Sequence, residues 1–167
     1  MRAEIYPIAG VPVGRLAIMP RPRAGDWLSD EVASWQRAGL AVIVSLLEDG
    51  EIAELGLEQE SALCEQTGLV FLRFPIPDRG IPVSRDRFSA LVTSLVEHLR
   101  QGRGVGIHCR IGVGRSALVA ACVLAVSGVP LESAWLSIQH ARGLSVPDTP
   151  EQRQWVTSWL ATRSLFE

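Results

Sequence analysis

The chain has 167 residues, about one domain by length, so 1–167 is expected to form a single domain. It is 47% hydrophobic and 20% charged, which supports a sizeable core and argues against disorder. Sixteen basic and eighteen acidic residues leave a net charge of -2, with no overall pull toward nucleic acid or an anionic membrane. Every basic residue is arginine, and the chain has no lysine and no asparagine. A Walker-type phosphate loop, a Schiff-base enzyme, a protein kinase and a Cys-His-Asn protease each need one of those residues and are excluded.

In chain order, the first 25 residues are rich in Pro and Gly, with apolar pieces at 4–8 and 16–19 that predict edge strands. Residues 27–38 read as a helix ending at Gly39, and the continuous apolar run 40–47 as a parallel strand covered on both faces. A helix over 58–66, ending near Gly68, precedes a second buried strand over 69–74. Three prolines and a glycine make 75–82 a loop.

Helical spacing is clearest at Phe88, Leu91, Val92, Leu95, Val96 and Leu99, with Ser84 as N-cap and Gly102 at the end. A short strand over 104–108 leads into a glycine-bearing loop and an apolar helix over 116–126, stopped by Gly128. Pro130 and Thr149-Pro150 open two last helices, with proline at the first helical position. The five tryptophans fall at helical spacing with apolar neighbours and are expected in the core. The alternation predicts an α/β fold with a mostly parallel central sheet flanked by helices. Ligands in such sheets bind beyond the strands' carboxyl ends, where the loops after Phe74 and after His108 converge.

Three cysteines, Cys64, Cys109 and Cys122, are too few and scattered for a disulfide framework. The histidines show no metal-ligand spacing, so no metal or other cofactor is expected. No basic segment followed by an apolar run opens the chain, and the longest apolar stretch, 117–126, is far short of a membrane span. The expected setting is the reducing cytoplasm, without membrane insertion.

Residues 108–116 read His108-Cys109-Arg110-Ile111-Gly112-Val113-Gly114-Arg115-Ser116. A loop wrapped at a helix N-terminus turns its backbone N–H groups inward and makes an anion-binding nest. Gly112 and Gly114 let the backbone turn, Arg115 can clamp two phosphoryl oxygens with its planar fork, and the same field favours a thiolate at Cys109. The phosphate-binding set is therefore Arg110, Ile111, Gly112, Val113, Gly114 and Arg115.

This loop resembles the C-x5-R signature of the cysteine-based protein tyrosine phosphatase superfamily. Phe74-Pro75-Ile76-Pro77-Asp78, about thirty residues upstream, and the short chain point to its small dual-specificity-like branch. The resemblance spans roughly 40–160 and implies that fold. It implies Cys109 as nucleophile, through a phosphocysteine intermediate, and Arg115 as binder of the phosphate and the transition state. It implies Asp78 as general acid and then base, Ser116 as hydrogen-bond donor to the sulfur, and His108 as orienter of the loop. Gln152 is a candidate for positioning the hydrolytic water, although Thr149-Pro150-Glu151-Gln152 also fits a capping box. Asp148 is a candidate second carboxylate. Arg79 and Arg110 either add positive potential at the mouth or are merely solvated.

The expected activity is metal-free hydrolysis of phosphotyrosine, with phosphoserine or phosphothreonine as further substrates, on a phosphorylated protein or peptide partner and not on nucleic acid. A phosphatase of phosphoinositides, inositol phosphates or RNA 5′ ends is the first alternative, weakened by Val113 where lipid phosphatases often carry lysine. A non-catalytic phosphate-binding module would be expected to lack Cys109 or Asp78, and a rhodanese-type sulfurtransferase has no need of a Pro-Asp acid loop.

Overall fold

A computed structural model describes residues 3–164. Its five strands are β1 (Tyr6–Pro7), β2 (Arg15–Met19), β3 (Leu40–Ser45), β4 (Val70–Arg73) and β5 (Gly104–His108). They form one sheet in the order β1-β2-β5-β3-β4, parallel except for the antiparallel pair β1 and β2. Seven α-helices accompany it: α1 (Leu28–Arg37), α2 (Asp49–Leu55), α3 (Glu60–Gln66), α4 (Arg85–Arg100), α5 (Arg115–Val126), α6 (Leu131–Arg142) and α7 (Pro150–Ser164). The expected α/β class with a mostly parallel, helix-flanked sheet is the one found.

Strand alternation sorts the side chains onto two faces. Val42, Val44, Val105 and Ile107 point into the larger core, with α4, α5, α6 and α7. Ile43, Leu40 and Met19 point the other way, against Leu28, Val32 and Trp35 of α1 and Cys64 of α3. α5 is buried almost all round, so its apolar residues show no polar stripe. Phe88 of α4 meets Trp155 and Trp159 edge-on, at 4.9 and 5.1 Å between ring centroids, which ties α7 to α4.

Several expectations change. β2 is an interior strand, flanked by β1 and β5, because its all-apolar run leaves no face for solvent. β4 is an edge strand with partly exposed side chains, not a buried one. Pro130 is the N-cap of α6 and not its first residue. Trp27 is 49% exposed, with the Arg23 guanidinium stacked on it at 4.8 Å, whereas the other four tryptophans are buried. Residues 49–55, for which the sequence predicts no element, form α2. Glu48 caps that helix, and the Glu51 side chain returns to accept from the Glu48 N–H at 2.9 Å. Ser84 caps α4 as expected, accepting from the Arg87 N–H at 3.2 Å.

Candidate active site

β5 is the central strand, and its last residue, His108, is fully buried. The chain then turns through 109–114 and enters α5 at Arg115. Gly114 caps that helix and brings no side-chain acceptor, so the first-turn amides are left for a bound anion. Gly112 has φ +75°, and a Cβ there would stand 2.6 Å from the Met19 carbonyl oxygen. A Cβ on Gly114 would stand 2.7 Å from the Asp148 Cβ. Both glycines are needed to bring the loop this close to its surroundings.

Cys109, Arg115, Asp78 and Asp148 line one cavity of about 240 Å³, together with Arg79, Arg110, Ile111 and Gly114. The structure therefore brings together the sulfur, the arginine and the upstream aspartate that the sequence singled out. Val113, within the loop, does not line the cavity and is buried in the larger core.

Arg115 is 2% exposed and almost completely engaged. Its Nη1 donates to Glu51 Oε2 at 2.7 Å and to the Ile76 carbonyl at 3.0 Å. Its Nη2 donates to Glu51 Oε1 at 2.9 Å and to Asp78 Oδ1 at 3.0 Å. The Glu51 pair is bidentate and fixes the guanidinium plane. Burial opposes the charge on Glu51, but the Arg115 and Glu48 hydrogen bonds and the Arg115 and Arg110 charges outweigh it and hold the carboxyl below its ordinary value. Burial likewise opposes the charge on Arg115, and Glu51, Cys109 and Asp78 together overcome it and raise its pKa.

His108 is held from both sides. Its Nε2 meets Glu60 Oε1 at 2.5 Å, its Nδ1 meets the Cys109 carbonyl at 3.2 Å, and its ring stacks near Trp35 at 6.1 Å. Glu60 is itself 2% exposed. The imidazole thus links the interior of α3 to the peptide group of Cys109.

Ser116 is fully buried and its Oγ makes no hydrogen bond, to Cys109 or to any other described residue. An unsatisfied buried hydroxyl costs about 1–3 kcal/mol, and this one sits in the first turn of α5. Gln152 is fully buried and does not line the cavity. Its Oε1 accepts from the Thr149 N–H at 3.2 Å, Thr149 Oγ1 accepts from its N–H at 3.2 Å, and its Nε2 donates to the Gly80 carbonyl at 3.0 Å. The capping box is present, and the same amide ties the acid-bearing loop to α7.

Asp148 faces the cavity and approaches Arg79 Nε at 3.6 Å. Arg79 is largely exposed and has φ +58°. Arg110 donates to Glu54 at 3.1 Å and lies 3.5 Å from Glu51, so part of its charge is balanced. Cys64 is buried, and burial together with Glu60 and Glu65 pushes its thiol up to about 12.

Sequence reasoning missed Glu51 and Glu60. The spacing Glu48-x-x-Glu51 at the end of a strand was a signal for the first. Nothing local marked the second, because its partner lies on another element.

Over residues 17–129 the chain matches the family model described as polymorphic toxin system, DSP-PTPase phosphatase. It is 31% identical over 132 residues to "Putative tyrosine phosphatase 067L" of Invertebrate iridescent virus 3, an alignment covering 75% of this chain and 52% of that protein. It is 30% identical over 117 residues to cyclin-dependent kinase inhibitor 3 of Rattus norvegicus, covering 69% of this chain and 55% of the relative. The chain thus spans about half the length of these curated relatives.

Among solved structures, kinase associated phosphatase with its catalytic cysteine changed to serine has a TM-score of 0.87 at 22% identity, over 97% of this chain and 96% of that one. That likeness is one of fold. Tk-PTP in its active form has a TM-score of 0.71 at 29% identity, over 87% and 91% of the two chains. No helix among the described residues is long and apolar enough to cross a membrane.

Proposed function

The chain belongs to the DSP-PTPase phosphatase family, and from that premise we propose that it hydrolyses phosphotyrosine, and phosphoserine or phosphothreonine as well, on protein substrates. The observation that carries this reading is the meeting of Cys109, Arg115 and Asp78 around one small cavity at the N-terminus of α5.

The Cys109 thiolate attacks phosphorus in line, and the bond from phosphorus to the ester oxygen breaks. Arg115 and the loop amides bind the equatorial oxygens, where charge is concentrated. Asp78 gives its proton to the departing oxygen. In the second step Asp78 takes a proton from water, the water oxygen attacks phosphorus, and the sulfur leaves as thiolate, assisted by the Ser116 hydroxyl. The products are the dephosphorylated residue and inorganic phosphate.

His108, fixed by Glu60, holds the Cys109 peptide group in place and moves no proton. Gln152 holds the acid loop through Gly80, and Asp148 is the carboxylate nearest to take over a water-positioning task. The loop and Arg115 supply the positive charge that a metal supplies elsewhere, so the reaction needs none. Residues 1–167 serve as one phosphatase domain. The three unbridged, buried cysteines support a reducing, cytoplasmic setting.

The test is a substrate panel with the purified protein and its Cys109→Ser variant. Phosphotyrosine and phosphothreonine peptides, phosphoinositides and an RNA 5′-triphosphate are compared, with p-nitrophenyl phosphate as reference. The expected result is peptide hydrolysis that resists a strong chelator, is blocked by vanadate and vanishes in Cys109→Ser, which still folds and binds phosphate. Faster turnover of the phosphoinositide or the RNA end would transfer the proposal to that substrate class. Turnover retained in Cys109→Ser would remove the nucleophile from the scheme.

A further inference from the structure

Beside the catalytic cavity lies a second groove of about 510 Å³, which shares Arg110 and Ile111 with it. Arg21 and Arg23 line it from the segment after β2, and Trp35 and Leu55 add apolar lining. That segment is locked to the phosphate loop. The Arg21 N–H donates to the Arg110 carbonyl at 3.1 Å, and Gly112 packs so closely on Met19 that a Cβ would stand 2.6 Å from its oxygen. Pro20 and Pro22 stiffen the backbone on either side of Arg21. The placement of Arg21 relative to the catalytic loop is therefore built in.

The arginines of the groove differ in how their charge is met. Arg23 Nε donates to Glu31 at 2.6 Å, and Arg110 donates to Glu54 at 3.1 Å. Glu4, also at the groove, accepts from the Tyr6 hydroxyl at 3.0 Å. Among the described residues, the Arg21 guanidinium has only the carbonyl of its neighbour Pro22, at 3.2 Å from Nη1, and no carboxylate lies within ion-pair distance of it. A guanidinium held in a groove with one neutral contact keeps most of its donors for an anionic group.

We infer that this groove is an anion subsite for a residue flanking the phosphorylated one. With the phosphoryl group over Cys109, the peptide crosses Ile111, which is 53% exposed between the two cavities, and sets an acidic group against Arg21. The group is a side-chain carboxylate or a second phosphate on the same peptide. The apolar lining from Leu55, Trp35 and Ile111 suits a peptide, and a polyphosphorylated headgroup would need more than one unmatched cation. The inference rests on the protein-phosphatase reading above and adds a sequence preference to it.

The experiment measures kcat/KM for a neutral phosphotyrosine peptide, for peptides with aspartate placed at each neighbouring position in turn, and for the same peptides with phosphoserine in place of aspartate. At one position the wild type is expected to favour the anionic peptide by about tenfold, the size of a charge-assisted contact, and the preference should shrink with added salt. In Arg21→Gln the ratio of acidic to neutral peptide should fall to about one. In Arg21→Glu it should invert toward an arginine-flanked peptide. Using the ratio makes the neutral peptide a built-in control for folding.

Preference for aspartate, phosphoserine or both supports the subsite and identifies which anion it takes. No preference in the wild type, or a preference surviving in Arg21→Gln, overturns it. Neutral peptides turned over without an acidic preference would end the subsite alone. Hydrolysis of p-nitrophenyl phosphate with none of any phosphopeptide would end the protein-phosphatase reading, and the subsite with it.

Discussion

Arg115 uses one nitrogen, Nη2, to hold Asp78 at 3.0 Å and Glu51 at 2.9 Å. Its other terminal nitrogen is committed to Glu51 and the Ile76 carbonyl. A phosphate that uses Nη2 as well as Nε therefore takes the place of Asp78, while Glu51 and Ile76 keep the guanidinium plane fixed. The exchange would detach the proposed general acid from the arginine at the moment the ester arrives. Asp78 has an exposed side chain and can move, whereas Glu51 is held by its capping contact.

For Asp78→Asn, damage should depend on the leaving group. General acid catalysis contributes about 10²–10⁴-fold, and only where the departing oxygen needs a proton. Phenyl and alkyl phosphates should lose that much in kcat, and p-nitrophenyl phosphate much less. Equal loss across a series of leaving groups would sink the assignment and direct attention to Asp148.

Arg115→Lys keeps a positive charge but cannot offer parallel donors to Glu51 on one side and phosphate on the other. Turnover should drop by about 10²-fold or more, the scale set by removing one oxyanion donor. Steady-state kinetics within a few-fold of wild type would show that charge alone suffices.

Glu51 links stability to pH. Its carboxyl is held below the ordinary value in the folded protein, so at acid pH the unfolded chain binds the extra proton first. The stability it contributes is complete above the ordinary carboxylate range and is lost as pH falls through the lowered, native value. Glu51→Gln leaves Arg115 without its buried counter-charge, which costs about 3 kcal/mol in comparable pairs. The variant should melt roughly 10 °C lower at neutral pH, at about 2–4 °C per kcal/mol for a chain of this size. Its Tm should also fall less steeply than wild type on acidification. Parallel Tm–pH curves would detach Glu51 from this role.

Glu60→Leu should cost about 1–3 kcal/mol by stranding His108 Nε2 in the interior. It should also slow alkylation of Cys109, because the imidazole would no longer be held against the Cys109 carbonyl. Glu60→Gln, which can still hydrogen-bond the ring, should recover most of both losses. Unchanged alkylation in the leucine variant would reduce Glu60 to a packing residue.

The sequence alone determined the α/β class and the phosphate loop, because both are written in contiguous residues. A strand, two glycines, an arginine and a helix start are local instructions, and so are the Ser84 cap and the Thr149–Gln152 capping box. Asp78 was legible for the same reason, one proline-rich loop beyond a strand. Tertiary structure alone decided what holds the loop. Glu51 lies 64 positions before Arg115, and Glu60 lies 48 before His108, and neither pairing has a period or spacing to betray it. Both arise because β3 lies beside β5, which places the chain that follows β3 over the loop that follows β5. The pairing of β2 with β5 on one side and β1 on the other likewise put β2 inside the sheet and Arg21 beside Arg110. A buried charge takes its partner from whatever the packing brings within reach, and strand order, not spacing along the chain, sets that reach.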